Sequence, residues 1–258
     1  VPPTDHAQGR PVASHSNNLA WLRRLAGRFV VFDGPDGSGK STQFRRFTEA
    51  CERAGVPLCA VRDPGGTAVG ERIREILLDK AHTGMGIRCE TLLYMASRAE
   101  LVDQKILPAL KRGELVVADR FVPSTLAYQG AAGGVPKAEI AAVAKMATRG
   151  LVPDIVVIFD IDETAAAGRI SGTGGAAGGR ARDRMEAKGL EFQRAVRRGY
   201  LDQAAADPAR YICLDAGRTE EQVWEDLLAA IRDRLDTLPA RPAMPVGPSR
   251  AARPAGQT

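Results

Sequence analysis

A short β-branched and aromatic run, Arg28 to Asp33, leads directly into Gly34-Pro35-Asp36-Gly37-Ser38-Gly39-Lys40-Ser41, and a helical pattern starts at Gly39. The loop satisfies G-x-x-x-x-G-K-S/T in full, in the strand-loop-helix setting that the motif needs. Small residues let successive backbone N–H groups wrap an anion, and the following helix aims its N-terminus at it. Lys40 is then placed for the β- and γ-phosphates, and the Ser41 hydroxyl for Mg²⁺. Gly34 to Thr42 therefore constitute a candidate nucleoside triphosphate site. Guanine-specific GTPases read their base with Asn-Lys-x-Asp, but asparagine occurs here only at Asn17 and Asn18, upstream of the loop. ATP is the expected donor.

The rest of the chain repeats the strand-helix alternation. Strands are expected at Arg28 to Asp33, Pro57 to Asp63, Glu114 to Asp119, Asp154 to Asp160 and Arg210 to Asp215. Helical patterns cover Gly39 to Arg53, Val69 to Asp79, Cys89 to Arg112, Lys137 to Thr148, Glu163 to Ile170, Arg184 to Ala206 and Glu220 to Leu235. Apolar strands separated by helices predict an α/β fold: a five-stranded parallel sheet with helices on both faces. Residues 28–235 are expected to form this domain. The segments 1–27 and 236–258, rich in Pro, Ser, Ala and Arg, are expected to be disordered, although Leu19, Leu22 and Leu25 have the spacing of a short helix.

Ligands in such sheets bind at the carboxyl ends of the strands. Four of the strands end in or beside Asp33, Asp63, Asp119 and Asp160. Aspartate is also a good turn residue, which is the preferred reading for Asp33 and Asp160. After Asp63 comes Pro64-Gly65-Gly66-Thr67, a sharp reversal that places Arg62 and Pro64 at the wall of a second pocket. After Asp119 comes Arg120, whose fork suits an acceptor phosphate, then Ser124, Thr125, Tyr128 and Gln129 to hydrogen-bond a sugar or base. Tyr94 and Arg98 share a helix face, an arrangement that fits either a stacked flat base or ordinary core packing. The Gly-rich stretch from Gly168 to Gly179 precedes Arg180, Arg182 and Arg184, which predicts a mobile, cationic lid over residues 168–186.

The net charge of +5 resides in the two ends: residues 1–28 carry +3 and residues 236–258 carry +2, leaving the middle neutral. No basic stripe on a folded face follows, so nucleic acid is not an expected partner. Cys51, Cys59, Cys89 and Cys213 form no C-x-x-C pair, and the three histidines are scattered, so mostly buried free thiols are expected rather than a zinc site. No apolar run is long enough for a membrane span, and a cytoplasmic protein is expected.

FDGPDGSGKST, RDPGGT, LYMASRAELV, DRFVPSTLAYQG, RARDRMEAKGLEF and VRRGYLDQAAADPARYICLDA occur in this order between Arg28 and Leu235. Together they resemble the thymidylate kinases, a family of nucleoside monophosphate kinases with the P-loop kinase fold. The resemblance implies Mg²⁺-dependent transfer of the ATP γ-phosphoryl group to dTMP, in dTTP biosynthesis, by a homodimer. It places Asp36 near the acceptor 3′-hydroxyl and the Mg²⁺ shell, which Ser41 and Asp119 complete. Tyr94 falls where the family stacks an aromatic on thymine, Arg98 where it contacts the base, and Arg120 where it holds the acceptor phosphate. Pro64 corresponds to a cis-proline. The P-loop lacks the arginine of one subtype, and the lid arginines, with Arg182 and Arg184 as catalytic candidates, would supply that charge. Two alternatives stand beside this reading: a kinase for another nucleotide or deoxynucleoside, and a nucleotide-binding regulatory protein without turnover.

Overall fold

The computed structural model describes residues 19–172 and 189–239. Five parallel strands, β1 (Phe29–Asp33), β2 (Leu58–Arg62), β3 (Leu115–Asp119), β4 (Ile155–Asp160) and β5 (Tyr211–Asp215), lie in the order β2-β3-β1-β4-β5. Each begins one residue later than the sequence pattern suggests, because Arg28, Pro57, Glu114, Asp154 and Arg210 lead into the strands without joining them. β1 pairs with β3 through Phe29 to Val116 and with β4 through Val30 to Ile155. The chain thus moves to opposite sides of β1 after the first and third strands, which makes the end of β1 the crevice where such sheets bind ligands.

Side chains alternate across the sheet and build a core on each face. Val30, Phe32, Val117, Val157 and Phe159 pack against α1 (Lys40–Arg53) and α9 (Glu220–Thr237). Phe29, Val31, Val116, Val156 and Ile158 pack on the other face, with Leu101, Ile106, Val196 and Tyr200. Covering both faces explains why the central strands are continuously apolar.

The remaining helices are α2 (Ala68–Leu78), α3 (Ile87–Leu101), α4 (Leu107–Lys111), α5 (Val122–Thr125), α6 (Lys137–Thr148), α7 (Glu163–Gly172) and α8 (Leu190–Ala206). The helix expected over Cys89 to Arg112 is interrupted by a π turn at Val102–Ile106, closed by the Leu107 N–H on the Val102 carbonyl. The wider turn comes immediately before Pro108, which has no N–H to continue the ladder. α5 and the π turn Leu126–Ala132 were hidden in the sequence by Pro123, Gly130, Gly133 and Gly134. Tertiary packing makes this segment helical. A Cβ on Gly199 of α8 would lie 2.6 Å from Ala131 Cβ, so the glycine lets α8 press against it.

The N-terminal boundary needs correction. Residues 1–18 lie outside the described residues, but Ala20–Leu25 forms a 3₁₀ turn with Leu22 and Leu25 fully buried in the core. Arg24 ion-pairs with Asp236, and Arg28 bonds Asp154 and the Pro239 carbonyl, so the two ends of the domain hold each other and α9 runs past Leu235 to Thr237. The cysteines also differ from expectation: Cys51 is buried and Cys59 half-buried, but Cys89 and Cys213 are exposed. Burial pushes the Cys51 thiol up to about 12.

Candidate active site

The loop after β1 has the backbone its glycines predict. Gly34, Gly37 and Gly39 have φ of 142°, 79° and 79°, and a Cβ at Gly34 would lie 2.6 Å from the Phe159 carbonyl. Only glycine lets the chain leave β1 so close to β4. The loop, from Pro35 to Thr42, borders a cavity of about 480 Å³ that Arg120 and Arg169 also line. Ser38 Oγ is buried and has no hydrogen-bond partner among the described residues, a polar atom that a bound phosphate would satisfy.

A second cavity, of about 550 Å³, opens at the ends of β2 and β3. Lys40, Arg62, Arg74, Arg98 and Arg120 line it, against the carboxylates of Asp36, Asp63 and Asp119. Five cations against three anions make this a site for an anionic ligand. Pro64, Tyr94, Ser124, Thr125, Tyr128 and Gln129 also line it. The two cavities share Asp36, Gly37, Lys40, Ser41 and Arg120, so a group on the P-loop and a group in the cleft would meet there.

Arg120 is the hub of that meeting point. It follows β3 with φ 70°, an uncommon conformation for a side chain other than glycine, asparagine or aspartate. Its backbone N–H is fixed on the Phe32 carbonyl at 2.9 Å. Its guanidinium reaches Asp36, the Gly34 carbonyl (3.1 Å), Ser124 Oγ (3.1 Å) and Tyr200 Oη (3.2 Å). Burial works against its charge, but Tyr128, Asp36, Tyr200 and Asp33 hold it protonated. Asp36 also accepts from Tyr128 Oη at 2.9 Å. Lys40 forms an ion pair with Asp119. Burial alone would raise the Asp119 pKa; Lys40 and Arg120 override it and hold the carboxyl below its ordinary value.

Asp33, read in the sequence as a turn residue, turns out to be structural glue. Its fully buried carboxylate accepts from Tyr200 Oη (2.6 Å), Ser124 Oγ (2.6 Å) and the N–H groups of Gly34 and Ser124 (3.0 Å each). It thereby ties the P-loop, α5 and α8 together. Asp160 follows the structural reading, gripping Arg197 through two bonds of 2.7 and 2.9 Å.

The Asp63-Pro64 peptide is cis, as the resemblance implies. The loop it opens is pinned by Ser97 Oγ on the Gly65 N–H (3.0 Å) and by Glu71 on the Gly66 N–H (2.6 Å). That backbone bond is the main cause of the lowered Glu71 pKa. Arg62 lines the cleft but is half exposed and pairs with Glu71. Arg98 lines it too, yet is fully buried. It bonds Asp63 (2.5 Å), Thr125 Oγ (3.2 Å), the Phe121 carbonyl (3.1 Å) and Met95 Sδ (3.1 Å). Arg74 is a cleft residue that sequence reading missed; it donates to the Pro64 carbonyl at 3.0 Å, and burial lowers its pKa. Only its helical register relative to Glu71 could have marked it. Arg169 bonds the carbonyls of Ala216 (2.8 Å) and Gly217 (3.3 Å). Arg180, Arg182 and Arg184 lie outside the described residues.

Among the described residues, no group of three or more His, Cys, Asp or Glu is placed to hold a metal alone. Ser41, Asp36 and Asp119 border the same cavity, and this sparse oxygen set suits Mg²⁺, which takes one or two carboxylates and completes its shell with phosphate and water.

Comparison with known proteins identifies the family and the fold. The Thymidylate kinase family model matches residues 32–227. A thymidylate kinase of Pelotomaculum thermopropionicum is 46% identical over 212 residues, covering 82% of this chain and 96% of that protein. One from Cutibacterium acnes is 42% identical, covering 83% and 98%. The crystal structure of the Ehrlichia chaffeensis thymidylate kinase superposes with a TM-score of 0.63 at 29% identity, covering 80% of this chain and 98% of that one. A P-loop abutting a second, cationic cleft and an extended match in sequence and fold lead to one assignment: this chain belongs to the thymidylate kinase family, the nucleoside monophosphate kinases that phosphorylate dTMP.

Proposed function

We propose that the P-loop cavity holds Mg·ATP and the second cavity holds dTMP, with the γ-phosphoryl group passing between them beside Lys40 and Arg120 to give dTDP and ADP. The observation that carries this reading is the shared wall of the two cavities. The acceptor is an anionic phosphate oxygen, so no general base is required, and catalysis rests on alignment and charge neutralisation. The P-loop, Gly34 to Thr42, binds the donor phosphates through backbone N–H groups between Asp36 and Ser41, Lys40 leaves Asp119 for the transferring group, and Arg120 holds the acceptor phosphate. Arg74 adds a second cation on that side. When bound, Mg²⁺ would be held by Ser41, Asp119 and Asp36 together with the donor phosphates, and would supply charge neutralisation to the transferring group. Tyr94 would face the thymine, with Arg98, Thr125 and Gln129 at its edge and Arg62, Pro64, Ser124 and Tyr128 around the sugar and phosphate. The lid arginines, above all Arg182 and Arg184, would close on the γ-phosphate.

The test is ADP release from Mg·ATP with and without dTMP. Release that depends on dTMP and disappears when EDTA removes the metal is expected; dTMP-independent hydrolysis would contradict the assignment of the second cavity.

We further propose a homodimer through α2, α3 and α6. These helices pack side by side and expose Val69 (50%), Ile76 (41%), Leu92 (57%) and Met146 (76%), an apolar set suited to a second copy. Light scattering should give twice the chain mass, and Leu92→Glu should halve it; a wild-type monomer would remove this proposal. No described helix is long and apolar enough to cross a membrane. A cytoplasmic location, with the ATP pool, follows from the proposed reaction and is checked by fractionation.

A further inference from the structure

Two helical segments face each other across the acceptor cleft and are joined by two buried polar rungs. One is Arg98 of α3 with Thr125 of α5. The other is Glu90 of α3 with Gln129 of the π turn, where Gln129 Nε2 donates to Glu90 Oε1 at 2.7 Å. Tyr94 lies between Glu90 and Arg98 at four-residue steps along α3, so all three share a face. Glu90 is 1% exposed and Gln129 2%. A carboxylate so deeply buried is costly, and an apolar pair could fill the same space. The pair does, however, settle which way an amide faces.

A primary amide has a donor end and an acceptor end of nearly the same shape, and a free glutamine can present either one. A carboxylate can only accept. Facing Glu90, Gln129 must therefore turn its Nε2 to the protein, and the carbonyl Oε1 is the end left for a ligand in the cavity that Gln129 lines. The ring N3 of thymine or uracil is a donor, whereas that of cytosine is an acceptor. A buried acceptor that meets another acceptor loses the hydrogen bond and keeps the desolvation cost, which is how such sites reject a base.

We propose that Glu90 is a positioning residue that fixes the Gln129 amide with Oε1 toward the acceptor base, so that the cleft takes a 2,4-dioxopyrimidine monophosphate and rejects a 4-aminopyrimidine. This rests on the reading of the second cavity as the nucleoside monophosphate site. The experiment compares kcat/KM for dTMP and dCMP in the wild type, Glu90→Gln, Glu90→Asp and Gln129→Leu. Glu90→Gln can donate as well as accept, which frees the amide to flip; the dTMP:dCMP ratio should fall at least tenfold, through KM for the acceptor, with KM for ATP unchanged. Glu90→Asp still only accepts and should keep the ratio even if overall activity drops. In the Gln129→Leu background, adding Glu90→Gln should change the ratio less than twofold. A wild-type ratio in folded Glu90→Gln, or an equal change with and without Gln129, would overturn the inference. A wild type that phosphorylates neither nucleotide would instead remove the reading beneath it.

Discussion

Replacing Lys40 with alanine is expected to lower kcat about 10³-fold, or ~4 kcal/mol of transition-state stabilisation, while KM for dTMP changes little. Lys40 is the one lysine on the wall common to the two cavities, and its side chain is only 7% exposed. In the proposed complex its ammonium faces the point where charge shifts from donor to acceptor, a preorganised cation that alanine cannot replace. The substitution also leaves Asp119 without its ion-pair partner, so some loss of stability accompanies the loss of rate. The pH dependence separates the two effects. Asp119 has a depressed native pKa, against the upward push of burial, because Lys40 and Arg120 favour its charged form. The stability from that preference is complete above the ordinary carboxylate pKa of about 4 and is lost as pH falls through the lower native value. The stability gap between wild type and Lys40→Ala should therefore be widest near neutrality and narrow in acid. Unfolding midpoints against pH check this, and single-turnover rates check the chemistry; a variant with near-normal turnover would contradict the assigned role.

Arg120→Ala should be nearly as severe, with a different signature. The guanidinium holds Asp36, Ser124 and the Gly34 carbonyl in place, and in the proposed complex it grips the acceptor phosphate as well. Losing it should raise KM for dTMP and lower kcat together, for a fall in kcat/KM of about 10³-fold or more. Arg120→Lys keeps the charge without the fork and should recover only part of this. The backbone at φ 70° supplies an independent check. Glycine tolerates that conformation and alanine does not, so Arg120→Gly should be about 1 kcal/mol more stable than Arg120→Ala while equally inactive. Equal stabilities would mean that the backbone relaxes when the side chain is removed. An unchanged KM for dTMP in both variants would move the acceptor phosphate elsewhere.

Much of this site could be read from sequence because its chemistry is local. The P-loop is one continuous stretch whose glycines, lysine and serine act within a single turn of chain. Arg120 and the four polar residues after it are likewise contiguous with the end of β3. Strand identity and the parallel sheet followed from apolar runs, separated by helices, that must be buried on both faces, whereas the strand order β2-β3-β1-β4-β5 came only from the structure. What escaped depends on distant partners. Asp33 looks like any aspartate at a strand end until Tyr200, 167 residues away, bonds its carboxylate. Glu90 looks like an acidic residue in the first turn of a helix until Gln129 meets it. Leu22 and Leu25 carried the spacing of a helix, but only the core beneath them shows that the segment belongs to the domain. The helix at Val122–Thr125 was obscured because prolines and glycines weaken its local preference, and the packing of α8 overrides them.

The most direct measurement is coupled ADP release with Mg·ATP and, separately, dTMP, dUMP, dCMP, dGMP, AMP and thymidine. Turnover with dTMP above every other acceptor is the predicted result, with dUMP next because it presents the same imide edge. Thymidine should be inert, because it brings no phosphate for Arg120. Preferential turnover with a purine monophosphate or with thymidine, or nucleotide binding without turnover on any acceptor, would contradict the account.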